Sequence, residues 1–135
     1  MSSGASDGQE RLAGDPASPW EQQYGFSRLI RFGRVVMLAG TTSVDASGVV
    51  LGDTPYEQTV EILDKIEHEL GRVGASLEDV VRTRMYVTDI SRADEVGRAH
   101  GERFAATRPA ASMIEVRALI DPRMLVEIEV EAILS

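Results

Sequence analysis

The sequence predicts one domain that mixes strands with two helices, in the order strand, strand, short strand, helix, strand, helix, strand, strand. Three observations predict it. The chain has 135 residues, the size of one ordinary domain. The stretches 80–88 (VVRTRMYVT) and 125–134 (LVEIEVEAIL) alternate polar and apolar residues, the period-two pattern of half-buried strands. The stretches 54–73 and 92–106 repeat apolar residues at helical spacing, as helices that cover one face of a sheet do.

Residues 1–19 (MSSGASDGQERLAGDPASP) hold almost no large apolar side chain. Such a segment cannot offset its ordering entropy and reads as a flexible tail. Residues 20–135 read as the domain. Ser27–Arg31 is a short mixed run that ends at a Phe32-Gly33-Arg34 turn. Val35–Ala39 is continuously apolar and reads as a strand buried on both faces. Asp45-Ala-Ser-Gly48 is a turn leading into a short strand, Val49–Leu51.

The first helix opens at Thr54. Thr54 caps, Pro55 takes the first helical position and Glu57 completes a capping box. Val60, Leu63, Ile66, Leu70 and Val73 form its apolar stripe, and Gly71 and Gly74 mark its end. A strand follows within 78–89. Arg92–Ala106 is the second helix, with Val96, Ala99 and Phe104 inward, then come strands at Ser112–Val116 and Leu125–Leu134.

Period two assigns the faces of the two alternating strands. Glu127, Glu129 and Glu131 share one side; Ile128, Val130 and Ala132 share the other. Arg82, Arg84, Tyr86 and Thr88 share one side; Val81, Thr83, Met85 and Val87 share the other. Paired in one sheet, the strands would place acids beside bases on a charged face. That face is either solvated, with cross-strand ion pairs worth ~0.2–1 kcal/mol each, or an association surface for further copies of the chain.

Composition excludes several chemistries. Fourteen Lys and Arg against 22 Asp and Glu give a net charge of −8, a poor basis for binding nucleic acid or anionic membrane. The absence of cysteine removes thiol nucleophiles and Cys-based metal sites. Lys65 is the one lysine, and His68 and His100 are the two histidines, too few for an all-histidine metal site. No apolar run reaches the ~18 residues of a membrane span, and no signal peptide is legible. A cytoplasmic protein without nucleic-acid or membrane partners is the expectation.

Seven segments, in chain order, carry a resemblance: Gly25-Phe-Ser-Arg28, Gly33-Arg34, Leu38-Ala-Gly-Thr-Thr42, the run from Gly71 to Val81, Tyr86-Val-Thr-Asp-Ile90, Arg108-Pro-Ala-Ala-Ser112 and Leu125-Val-Glu-Ile-Glu129. Together they resemble the Rid family (RidA/YjgF, also called endoribonuclease L-PSP). The resemblance implies an α+β, chorismate-mutase-like (YjgF-like) domain with a mixed sheet and two helices on one face. It implies a homotrimer closed around a central barrel, with small-molecule ligands in clefts between subunits. It also implies hydrolysis of enamines and imines released by pyridoxal-phosphate enzymes, with no cofactor and no metal.

Family site residues transfer unevenly. The glutamate that positions water matches Glu127, and the small polar residue of the arginine motif matches Ser112; these are the catalytic candidates. The carboxylate-clamping arginine position is Ala111, the next cleft position is Met113, and the cleft tyrosine position is Phe26. Gly40 and Thr41 match the backbone after the second strand. Arg84 is a candidate substitute clamp and Tyr86 a cleft aromatic, completing the substrate-binding set. Glu127 keeps a second reading as an ion-pair partner of Arg82 or Arg84. The altered pocket leaves an alternative to catalysis, a metabolite-binding or regulatory trimer that uses the same clefts. His100 and Lys65 read as structural.

Overall fold

The computed structural model describes residues 11–13 and 19–135. Its elements are β1 (Arg11–Ala13), α1 (Pro19–Tyr24), β2 (Leu29–Phe32), β3 (Val35–Thr41), α2 (Pro55–Gly71), β4 (Val80–Val87), α3 (Ala93–Phe104), β5 (Ala110–Glu115) and β6 (Val126–Ile133). Single 3₁₀ turns at Leu77–Asp79 and Ile90–Arg92 precede β4 and α3. The strands form one six-stranded sheet in the order β1-β2-β3-β6-β4-β5. Only β4 and β5 run parallel, as α3 crosses between them; the other pairs are antiparallel. The fold is therefore α+β with a mixed sheet and α2 and α3 packed together on it.

Helix α2 begins at the expected cap. Thr54 Oγ1 accepts the Glu57 N–H at 3.1 Å, satisfying one N–H group that the helix leaves open, but the expected capping box does not close, because Glu57 Oε1 accepts the N–H of Asp53, one residue before the cap, at 2.8 Å. Its buried stripe is Ile62, Leu63, Ile66 and Leu70, with Gln58 and Thr59 one turn earlier. Val60 lies off that stripe, because the buried arc is centred a fraction of a turn from where Val60 points. Gly74 adopts φ +81°, which lets the Ala75 N–H return to the Leu70 carbonyl at 2.9 Å. Helix α3 buries Val96, Ala99 and Phe104 as expected.

The core lies between the two helices and the sheet. Leu29, Val36, Leu38, Met85, Val87, Val126, Ile128, Val130 and Ala132 supply its sheet side. Gln58 is 1% exposed and fully engaged. Its Nε2 donates to the carbonyls of Gly52 (3.1 Å) and Arg123 (2.9 Å), and its Oε1 accepts the Leu125 N–H (2.8 Å). One side chain thus ties the start of α2 to the loop that delivers β6.

Several expectations change. Arg11–Ala13 and the start of α1 fall within the stretch read as a tail: β1 pairs antiparallel with β2, and the remaining residues of that stretch lie outside the described ones. Val35–Ala39 is buried on one face only, since Met37 is 50% exposed while Val36 and Leu38 are buried; among the described residues no second layer covers the outer face. Val49–Leu51 makes a single bridge, Val44 to Val50, rather than a strand. Val81 is 43% exposed although alternation put it inward. The register slips between Val80 and Arg82, so Val80 fills the inward position and the extra residue turns out.

Candidate functional site

The register of β3 against β6 creates the site. Leu38 lies opposite Val130 and Thr41 opposite Ile128. Three steps along β3 therefore match two along β6, and the extra residue bulges the strand at Ala39–Gly40. A Cβ on Gly40 would stand 2.1 Å from Glu127 Oε2 and 2.7 Å from its Cδ. Glycine is needed there for space, because the Glu127 carboxylate rests directly on the Gly40 backbone.

Burial pushes the Glu127 carboxyl above the ordinary carboxylate range; the positive charge of Arg28 pulls it down less strongly, and Glu129 pushes it up. A carboxyl raised by desolvation exchanges protons nearer neutral pH. Arg28 is the cation whose charge bears on Glu127, and among the described residues no ion pair joins Glu127 to Arg82 or Arg84, so the ion-pair reading of Glu127 gives way. The partners of Arg84 are Glu131 (2.9 Å) and Glu129 (3.8 Å).

Arg28 is the residue the sequence reading passed over. Its Nη1 donates to the Gly40 carbonyl at 2.5 Å, with longer contacts to Ala39 O (3.4 Å) and Thr41 Oγ1 (3.5 Å). Its backbone N–H donates to Glu21 Oε1 of α1 at 3.1 Å, and α1 itself had no periodic trace in the sequence. Lys65 approaches the end of β3 from α2. Its Nζ donates to the carbonyls of Thr42 (2.6 Å) and Val44 (2.7 Å), and burial, followed by the Arg28 charge, lowers its pKa. The sequence did contain a trace of Arg28: it closes the Gly25–Arg28 motif, two residues after Phe26.

The structure brings some candidates together and separates others. Gly40, Thr41 and Glu127 meet at the β3 bulge, and Tyr86 lies opposite Glu127 in the register. The Tyr86 hydroxyl donates to Glu129 Oε1 at 2.6 Å, and this bond, with burial second, raises its pKa. Ser112 lies opposite Arg84 on β5, across β4 from β6 and two residues out of step with Glu127. At ~4.8 Å between strands, Ser112 and Glu127 of one chain are separated by roughly 10 Å or more.

Ala111 pairs with Thr83 and Met113 with Met85, so both lie on the helix side of the sheet, opposite to Ser112. Met113 packs against the core, and Ala111 stays exposed at the sheet edge. Phe26 closes α1 through its N–H to the Glu21 carbonyl and is 39% exposed. His100 also belongs to the helix side: its Nε2 lies 2.9 Å from Thr83 Oγ1, its ring packs 4.6 Å from that of Phe104, and burial lowers its pKa. Among the described residues no three His, Cys, Asp or Glu side chains gather as metal ligands, and no helix is long and apolar enough to cross a membrane.

Among the described residues no helix lies on the outer face of the sheet. Arg84, Tyr86, Glu129 and Glu131 form its charged centre. Phe32, Val35, Met37 and Ile133 are exposed apolar residues at one end.

Comparison with known proteins agrees with this architecture. The profile of the endoribonuclease L-PSP family matches residues 18–134. A solved structure from Mycobacterium tuberculosis, of a member of the YjgF/YER057c/UK114 family, is 47% identical with a TM-score of 0.84, covering 93% of this chain and 100% of that one. An uncharacterized protein of Streptomyces coelicolor is 38% identical over 115 residues, 85% of this chain and 86% of its own length. A RutC family protein of Pyrococcus abyssi is 33% identical over 110 residues, 80% of this chain and 84% of its own length.

Proposed function

Since the chain belongs to the endoribonuclease L-PSP family, the YjgF group also called Rid, we propose that it is a cofactor-free hydrolase of imines and enamines. The observation that carries this reading is the desolvated Glu127 carboxyl held on the Gly40 backbone. An enamine first takes a proton at carbon to become the imine. Glu127 accepts a proton from water as the oxygen bonds to the C=N carbon. The nitrogen is protonated in turn, the C–N bond breaks, and ammonia leaves with a carbonyl product.

The working unit in this proposal is a homotrimer whose outer sheet faces close a central barrel. The bare charged face supports it. So does the separation of Ser112 from Glu127: a cleft that uses both takes one from each of two neighbouring subunits. Phe26, Tyr86 and Thr41 line the cleft, and Ala111 contributes from the exposed edge strand. The cytoplasm, where pyridoxal-phosphate enzymes release such intermediates, is the compartment. A second reading, a trimer that binds a metabolite or regulates a partner without turnover, draws on Ala111, which leaves the usual clamp position without a charge.

The test is ammonia and 2-oxo acid release from imines generated in situ by an amino-acid oxidase. Wild type is expected to exceed spontaneous hydrolysis, and Glu127→Gln to fall by about 10²–10⁴-fold, the range of a positioned acid or base. Equal rates for the two proteins would remove Glu127 from the chemistry. A wild type at the spontaneous rate that still binds a 2-oxo acid saturably would select the second reading.

A further inference from the structure

We infer that Arg28 is the carboxylate anchor of the Glu127 site and sets its specificity for small acids bearing a carbonyl or imine at the second carbon. The inference rests on the proposed function for the identity of the site and deepens it by naming the group that holds the ligand.

A carboxylate held in a partly desolvated cleft needs a cation, and position 111 supplies none. The cations near Glu127 differ in what they have left to offer. Lys65 spends Nζ on two backbone carbonyls. Arg84 is engaged with Glu131 and Glu129. Arg82 lies opposite Glu131, four residues along β4 from the partner of Glu127 and so roughly 13 Å away at strand rise.

Arg28 is different. Its Nη1 is pinned on the carbonyl of Gly40, the residue whose backbone carries the Glu127 carboxylate. Every side-chain hydrogen bond it makes among the described residues uses Nη1. The N–H groups of Nε and Nη2 therefore form an open fork whose orientation is set by the pinned end. That fork matches the two oxygens of a carboxylate, and its planar geometry is the part a lysine cannot reproduce.

Arg28 and Glu127 reach the same glycine by different routes, one by a hydrogen bond to its carbonyl and one by contact with its Cα hydrogen side. A ligand carboxylate on Arg28 thus places the adjoining carbon beside Glu127. The guanidinium charge makes this end of the site receptive to a monoanion.

The test is calorimetric binding of pyruvate and its neutral analogue pyruvamide to the full chain. Wild type is expected to prefer pyruvate by about 10- to 100-fold, the worth of a charge-assisted contact. Arg28→Met should abolish the preference and Arg28→Lys restore part of it; thermal unfolding verifies the fold. If Arg28→Met does not fold, Arg28→Gln carries the same comparison. An intact preference without the guanidinium overturns the inference. So does equal loss of both ligands, which marks a mere brace for the bulge, and so does a wild type that binds neither or makes no distinction. Neither ligand is turned over, so a failure of imine hydrolysis overturns the catalytic reading without touching this result.

Discussion

Replacing Gly40 by alanine separates the placement of Glu127 from its chemistry. Gly40 does not occupy the left-handed region, so alanine meets no backbone strain. The new methyl would stand 2.1 Å from Glu127 Oε2, and an acceptable contact requires the carboxylate to retreat by about 1 Å. The obstructing atoms are the far end of a flexible side chain, so rotation costs about 0.5–1.5 kcal/mol. Alanine returns about 0.4–1 kcal/mol by narrowing the unfolded ensemble. Net stability should stay within about 1 kcal/mol, a shift of about 4 °C or less in Tm. Turnover should fall about 100-fold, the usual cost of a 1 Å misplacement. Imine hydrolysis and thermal unfolding on the same preparation read both quantities. Full turnover in Gly40→Ala would refute the claim that contact with Gly40 aims the carboxylate. A loss of more than about 2 kcal/mol would show that the strands, not the side chain, absorb the clash.

Two further outcomes follow from the same geometry. Burial raises the Glu127 pKa in the folded chain, whereas the unfolded chain titrates near the ordinary value of about 4.3. Between that value and the raised one the folded state binds more protons, so wild-type stability falls as pH rises through the window. Glu127→Gln removes this term: its Tm relative to wild type should climb from about pH 4 upward and level off above the raised pKa, and a flat or opposite difference in unfolding scans would contradict the burial argument. Light scattering should give wild type three times the 14.7 kDa chain mass, and Arg84→Glu should give monomer, because three carboxylates would then crowd the face that Arg84 neutralises; a monomeric wild type would refute the trimer.

The alternating strands were legible because their pattern depends on nothing but the pleat. Ile128, Val130 and Ala132 face inward and the three glutamates outward, whatever the neighbours are. The α2 cap was legible for a similar reason, since Thr54, Pro55 and Glu57 act within four residues. Legibility failed where pairing between distant segments intervened. Val81 turned outward because β4 gains a residue against β6, and no local pattern encodes a register slip. Gln58 has no part in the apolar stripe, and its partners lie on loops up to 67 positions away. Met113 seemed a cleft residue by motif, but pairing with Met85 placed it on the helix face.

The sequence alone determined the residue types, the strand faces and the family of folds, because periodicity, capping and motif order are local properties. It also supplied Glu127 and Gly40 as separate candidates, 87 positions apart in the chain. Only the tertiary structure decided that they touch, that Arg28 joins them, and that Arg84 does not. Those facts arise from the β3 bulge against β6, where one extra residue sets which backbone atoms a buried carboxyl and a guanidinium can reach.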